Sequence, residues 1–236
     1  MQRVSNLFKS LRILGVACAL LASVAAGASG LDSLSTGDTV SGLKEALTRG
    51  AEIAIGQLGK TDGFLGDKRV RIPLPESARN VEKAMRTLGM KKQADELIET
   101  MNRAAEIAIV EAKPILSGAV KNMGFDDARG ILTGGDQAAT EYFRRTTSND
   151  IAAKFLPIVK KATAKVGLAA QYNQFAGQAA KLGLLDEKDA DLDTYVTHKA
   201  MDGLFLMIAE QEKAIRKDPV GTGSAMLKKV FGALGK

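Results

Sequence analysis

The chain has 236 residues, is 45% hydrophobic and 25% charged, and carries a formal +6, proportions that fit one globular domain or at most two small ones and not a disordered tail. One Cys excludes a disulfide framework or a cysteine-based zinc site, one His excludes two-His metal sites and proton relays, and the absence of Trp removes any Trp-based stacking platform. With 24 Gly, 5 Pro and no dominant repeat, collagen-like and low-complexity organisations fall away too.

The segment Met1 to Arg12 carries Arg3, Lys9 and Arg12 and no acid, and the uncharged run Ile13 to Ala28 follows it. A basic end, a short apolar stretch and small residues at Ala26 and Ala28 have the shape of a secretory signal, which predicts cleavage after Ala28 and a periplasmic location. The run is shorter than the roughly 20 residues a spanning helix requires, so no membrane span is expected in the mature chain. The alternative is a lipid anchor on Cys18, with Gly15 standing where a lipobox prefers Leu. Cleavage removes the Cys and halves the formal charge, and with it the electrostatic case for nucleic-acid binding. The expected organisation is a signal peptide over 1–28, a flexible Ser/Gly/Asp-rich leader over 29–39 and a helical domain over 40–236.

From Val40 onward, Leu43, Ala46, Leu47, Ala51, Ala54, Ile55 and Leu58 recur at three and four, marking one stripe of a helix that ends at Gly59. The prolines of TDGFLGDKRVRIPLP exclude a continuing helix and push Ile72 and Leu74 into extended conformations, with a small β-hairpin expected near residues 64–72. Glu76 opens a helix running to Gly89. A longer one begins at Lys92 with Ala94, Leu97, Ile98, Met101, Ala105, Ala108 and Ile109 in register, and Pro114 is expected to kink or restart it. Asp126 and Asp136 are expected to cap the next two helices, and Thr147 or Ser148 to cap another. After an Ala-rich segment from Leu168 to Leu182, Asp191 or Asp193 starts the last long helix, through Val196, Ala200, Met201, Leu204, Phe205 and Ile208 to about Lys217. A short helix around Met226, Leu227, Val230 and Phe231 closes the chain. The expected fold is all-α, one multi-helix bundle of eight or nine helices.

The blocks LGKTDGFL, VRIPLPE, MNRAAEIA, FDDARGILTGGDQAATEYFRRTT, YVTHKAMDGLFLMIAEQEKAIRKDP and LKKVFG occur in that order between Gly42 and Gly232. In this the chain resembles the bacterial family called domain of unknown function 4197. The resemblance implies a mostly helical exported domain and carries no activity with it. Glu141 departs from the His expected in the YF block.

Candidate chemistry is sparse. Asp189, Asp191 and Asp193, with Asp186 nearby, copy the first ligand positions of a calcium loop. Thr194 stands where that loop needs Gly and Ala200 where it needs Glu, so the same acids read as helix caps and no metal site is expected. His198 and Asp202, four apart, could form a base dyad, but no nucleophile turn accompanies them. Gly134-Gly135 before a helix suggests an anion cradle, against which Asp136 at the cap would compete for the same amides. Phe143, Phe155, Phe175, Phe205 and Met207 fall on helical stripes, as expected of core.

The constellation with most chemical content joins Asn102, Arg103 and Glu106 on one helix, Arg144 and Arg145 on another, and Asp202, Glu210, Glu212 and Arg216 on the last. If these helices pack together, their tips could line one polar cleft in which Arg forks clamp a carboxylate, phosphate or glycan acid; the same residues could equally form inter-helix salt bridges with no ligand. The expected function is a cofactor-free binding or interaction module for an acidic small molecule or an envelope protein. The alternative is a cofactor-free hydrolase or lyase with paired carboxylates, Glu106 with Asp202 or Glu210, which would have to lie roughly 5 to 10 Å apart in an open cleft.

Overall fold

The computed structural model describes residues 36–181 and 191–218. The signal, most of the leader and the closing short helix expected from the sequence lie outside the described residues. Helix α1 spans Thr36–Leu58, and a 3₁₀ turn, Glu76–Ala78, leads into α2, Arg79–Thr87. Helix α3, Lys91–Ala108, passes through a 3₁₀ turn at Ile109–Glu111 into α4, Ala112–Asn122. Then come α5, Phe125–Thr133, α6, Ala138–Thr163, α7, Gly167–Lys181, and α8, Leu192–Lys217. The all-α class therefore holds. Taken with α4 as one rod, α3 leaves seven separate helical rods among the described residues, fewer than the eight or nine expected.

Burial follows the sequence periodicity closely. Each of the α1 stripe residues Leu43, Ala46, Leu47, Ala51, Ala54, Ile55 and Leu58 is buried, as are Leu97 and Met101 on α3, Ile109 in the turn that follows it, and Val196, Leu204 and Ile208 on α8. The longest helices, α6 and α8, pack most extensively on each other, with α3 laid on α6 and α1 on α8. Phe143, Phe155 and Phe205 fill the space between them and are fully buried. The apolar cleft where α1 and α5 meet α6 and α8 leaves only about 30 Å³ free, about the volume share of one water molecule, so this part of the bundle is filled.

Pro114 acts as expected, and the 3₁₀ turn is the form its effect takes. Its ring would crowd the carbonyl of Val110, and tightening over Ile109–Glu111 places the proline in the first turn of α4, where no amide is required. Thr147 and Ser148 do not start a helix. Their hydroxyls donate back to the carbonyls of Phe143 at 2.6 Å and Arg144 at 2.6 Å, so α6 runs straight through them. Pro157 also lies inside α6 on an exposed face, where the carbonyl it leaves without an amide partner faces water.

No strand forms among the described residues, and the hairpin expected near 64–72 is absent. In its place the linker folds into successive turns. The Gly63 amide bonds the carbonyl of Lys60 at 2.9 Å, Gly66 that of Asp62 at 3.0 Å, and Arg71 that of Asp67 at 2.8 Å. These turns take up amides that a strand ladder would need. Asp62 sits at φ 64°, and a Cβ on Gly63 would fall 2.3 Å from the carbonyl oxygen of Leu58, so the tight exit from α1 requires glycine there. Phe64, Val70, Ile72 and Leu74 nevertheless point inward and are buried. The linker is thus an irregular plug over the bundle.

Candidate functional site

A plug without a ladder needs polar partners for its backbone, and α3 supplies them. Asn102, fully buried, accepts the Ile72 amide at 2.8 Å and donates to the Ile72 carbonyl at 2.9 Å, acting as a single rung of sheet. One turn further on, Oε1 of Glu106 accepts the amides of Phe64 at 3.1 Å and Leu65 at 3.2 Å, while Oε2 accepts Arg103 at 2.8 Å. Arg103 also reaches Asp62 at 2.9 Å. Its guanidinium is held further toward the charged form first by the Glu106 bond and then by the Asp62 bond. Glu106 is 4% exposed with both oxygens occupied.

A second device of the same design joins α8 to α6. Glu212 accepts the amide of Ala139 at 3.0 Å on one oxygen, and the amide and hydroxyl of Thr140 at 2.9 and 2.8 Å on the other. It is a helix cap delivered from across the bundle, which leaves Asp136, the residue expected to cap α6, exposed. The anion cradle suggested by Gly134-Gly135 is thus filled by a carboxylate of the chain itself. Arg216 binds Glu212 at 2.8 Å and donates to the carbonyl of Ile131 at 2.9 Å near the end of α5. Asp126 does not cap α5 either: Gly124 holds the cap position and Asp127 accepts its amide at 3.2 Å. At α8 the expected cap is present, with Asp191 accepting the Thr194 amide at 2.8 Å. Asp193 is buried against the Thr163 hydroxyl, and burial raises its carboxyl above the usual range.

The other predicted residues lie outside these devices. Arg144 stacks over the Phe205 ring at 4.5 Å and stands 3.8 Å from Asp202. The Asp202 carboxylate also faces Lys199 at 3.8 Å, and His198 is exposed beside it. Arg145 pairs with Asp127 at 3.5 Å on α5. Glu210 binds Arg69 at 2.6 Å. The structure therefore brings together Arg103 with Glu106, Arg144 with Asp202, and Glu212 with Arg216, as three separate groups.

The open concavity is elsewhere. Along α8, beside the linker and α2, runs a polar trough with two hollows of about 580 and 510 Å³. Arg69 lines both, pinned between Asp67 at 2.5 Å and Glu210 at 2.6 Å. Its side-chain bond and a second bond from its backbone amide hold the Asp67 carboxyl down at about 2. The larger hollow is lined by the turn residues Lys60 to Lys68. Arg71, Arg79, Lys199 and Tyr195 line the other, with Glu76 and Asp202 among them. Arg79 pairs with Glu76 at 3.2 Å, and Tyr195 donates its hydroxyl to the Pro73 carbonyl at 3.1 Å. The Arg71 guanidinium has no ion pair or hydrogen bond among the described residues.

Of the residues expected from sequence, Asp202 lines this trough and Glu210 borders it through Arg69. Arg69, Arg71, Arg79, Lys199 and Tyr195 were not expected. A signal for Arg71 does exist in the alternation of VRIPL: Ile72 and Leu74 are buried, which turns Arg71 outward. No helix among the described residues is long and apolar enough to cross a membrane, and no three His, Cys, Asp or Glu side chains gather there to hold a metal ion.

Fold and site together define an all-α protein in which buried glutamates, each paired with a half-buried arginine, brace a loop and two helix ends beside a polar surface trough. The chain belongs to the family described as Protein of unknown function (DUF4197), whose profile matches residues 33–232. No curated protein and no solved structure matches it.

Proposed function

We propose that the protein is an exported, periplasmic binding module that takes an acidic small molecule in the trough between residues 69–79 and α8. The observation that carries this reading is Arg71. It lies in the wall of a hollow of about 510 Å³ and, although Glu76 and Asp202 line the same hollow, makes no ion pair among the described residues. By contrast Arg103, Arg144, Arg145 and Arg216 each face a carboxylate. A guanidinium in a concave site presents a donor fork suited to carboxylate or phosphate. The periplasmic part of the reading rests on the basic, apolar and small-residue order of the first 28 residues.

The paired-carboxylate hydrolase or lyase is disfavoured on this account. Glu106 is 4% exposed and held by two amides and Arg103, so it is poorly placed for acid–base work on a substrate.

Titrating citrate into isotopically labelled protein and following the backbone amide resonances tests the proposal. Shifts should concentrate in residues 69–79 and 195–206. Shifts centred on Asp127 and Arg145, or spread evenly over the exposed lysines, would contradict it.

A further inference from the structure

Resting on the reading of the trough as an acidic-ligand site, we infer that its ligand is a sugar acid, a hydroxyl-rich carboxylate with more than one ring. The argument is from the mixture of charges in the wall. A compact, highly charged anion would engage Arg71 but would offer no donor to the carboxylates of Glu76 and Asp202, which line the same hollow and are ion-paired with Arg79 and with Arg144 and Lys199. A neutral polyol would donate to the acceptor positions those ion pairs leave open but would leave Arg71 unpaired. A ligand with one carboxylate per ring and several hydroxyls answers both: the acid group meets Arg71, and the hydroxyls donate to Glu76 and Asp202 and accept from Lys199. Leu206, 41% exposed and lining the hollow, adds an apolar surface of the kind on which the C–H face of a sugar ring rests.

Length enters through Arg69. It lines both hollows, so a chain long enough to lie over it would reach from the 510 Å³ hollow into the 580 Å³ one. Each falls in the roughly 300–1,000 Å³ range of small-molecule sites. An extended peptide is a poorer occupant. The wall at 71–75 contains Pro73 and Pro75, and the amide and carbonyl of Ile72 are turned inward to Asn102, so this edge cannot pair with an added strand.

Calorimetric titration of the full chain with galacturonic acid, trigalacturonate, maltotriose and citrate tests the inference. Trigalacturonate should bind at least about tenfold tighter than the other three, and Arg71→Ala should weaken it by about tenfold or more, the scale of one lost charge-assisted fork. Arg129→Ala, an exposed arginine on α5 that does not line the trough, should bind as the parent does. If citrate binds as tightly as trigalacturonate and is lost equally in Arg71→Ala, the sugar-acid inference falls while the acidic-ligand reading stands. If no probe binds, or if binding survives Arg71→Ala unchanged, both fall.

Discussion

Glu106 and Glu212 perform the same task at two separate places in the bundle: each carboxylate gathers two consecutive backbone amides and a guanidinium from its own helix. Truncating such a group strands those amides without acceptors. Glu212→Ala is therefore expected to lower unfolding stability by about 3 kcal/mol, measured by urea denaturation, and a loss under about 0.5 kcal/mol, the size of an ordinary surface change, would contradict its capping role. Asp193 makes a pH prediction of opposite sense to most carboxylates. Its carboxyl is raised above 3.8 by burial, so the folded state holds the proton more tightly than the unfolded chain. That contribution is full below 3.8 and is lost as pH rises through the raised value. Asp193→Asn, which does not titrate, should gain in melting temperature relative to the parent between pH 4 and pH 7, and a constant difference across that interval would overturn the assignment. Half of each device was legible in the sequence: the spacings of Arg103 to Glu106 and of Glu212 to Arg216 are helical neighbours. The amides of Phe64 and Ala139, 42 and 73 residues away, carry no sequence mark, because a backbone donor is the same at every residue.

At the level of elements, α8 and the plug depend on Gly203. A Cβ there would fall 2.7 Å from Cε1 of Phe64, a fully buried ring, and 3.4 Å from Cβ of Val70. Gly203→Ala should force the plug off α8 and cost about 1–3 kcal/mol, as overpacking does, even though alanine favours helix. Thermal unfolding checks the sign, and a stabilised variant would mean that the contact is looser than described. The helices themselves were readable, since apolar residues at three and four suffice to mark α1, α3 and α8. Helix starts were less so. Asp136 and Ser148 both carry cap-forming side chains, yet Glu212 supplies one cap from another element and the hydroxyl of Ser148 bonds back to Arg144. The missing hairpin has the same origin: turn residues and apolar alternation were present in 64–72, but the ladder partner that won was the Asn102 side chain.

Over the whole molecule, the Arg and Glu residues at helical spacing divide between two roles. Those that are buried or half-buried hold the fold, as Glu106, Glu212 and Arg216 do, and the open trough is walled by Arg69 and Arg71 of the linker with Arg79 and Lys199 from α2 and α8. All-α architecture and family membership were legible, because both rest on patterns continuous along the chain. The site was not, because it is defined by which charges lack a neighbour, and that depends on how the linker lies across α8. The proposed site assigns binding and stability to different residues. Its most direct test is to measure, on Arg71→Ala, both the urea unfolding free energy and the affinity for trigalacturonate. Stability should stay within about 0.5 kcal/mol of the parent while binding weakens tenfold or more; a variant that unfolds, or one that binds undiminished, would overturn that division.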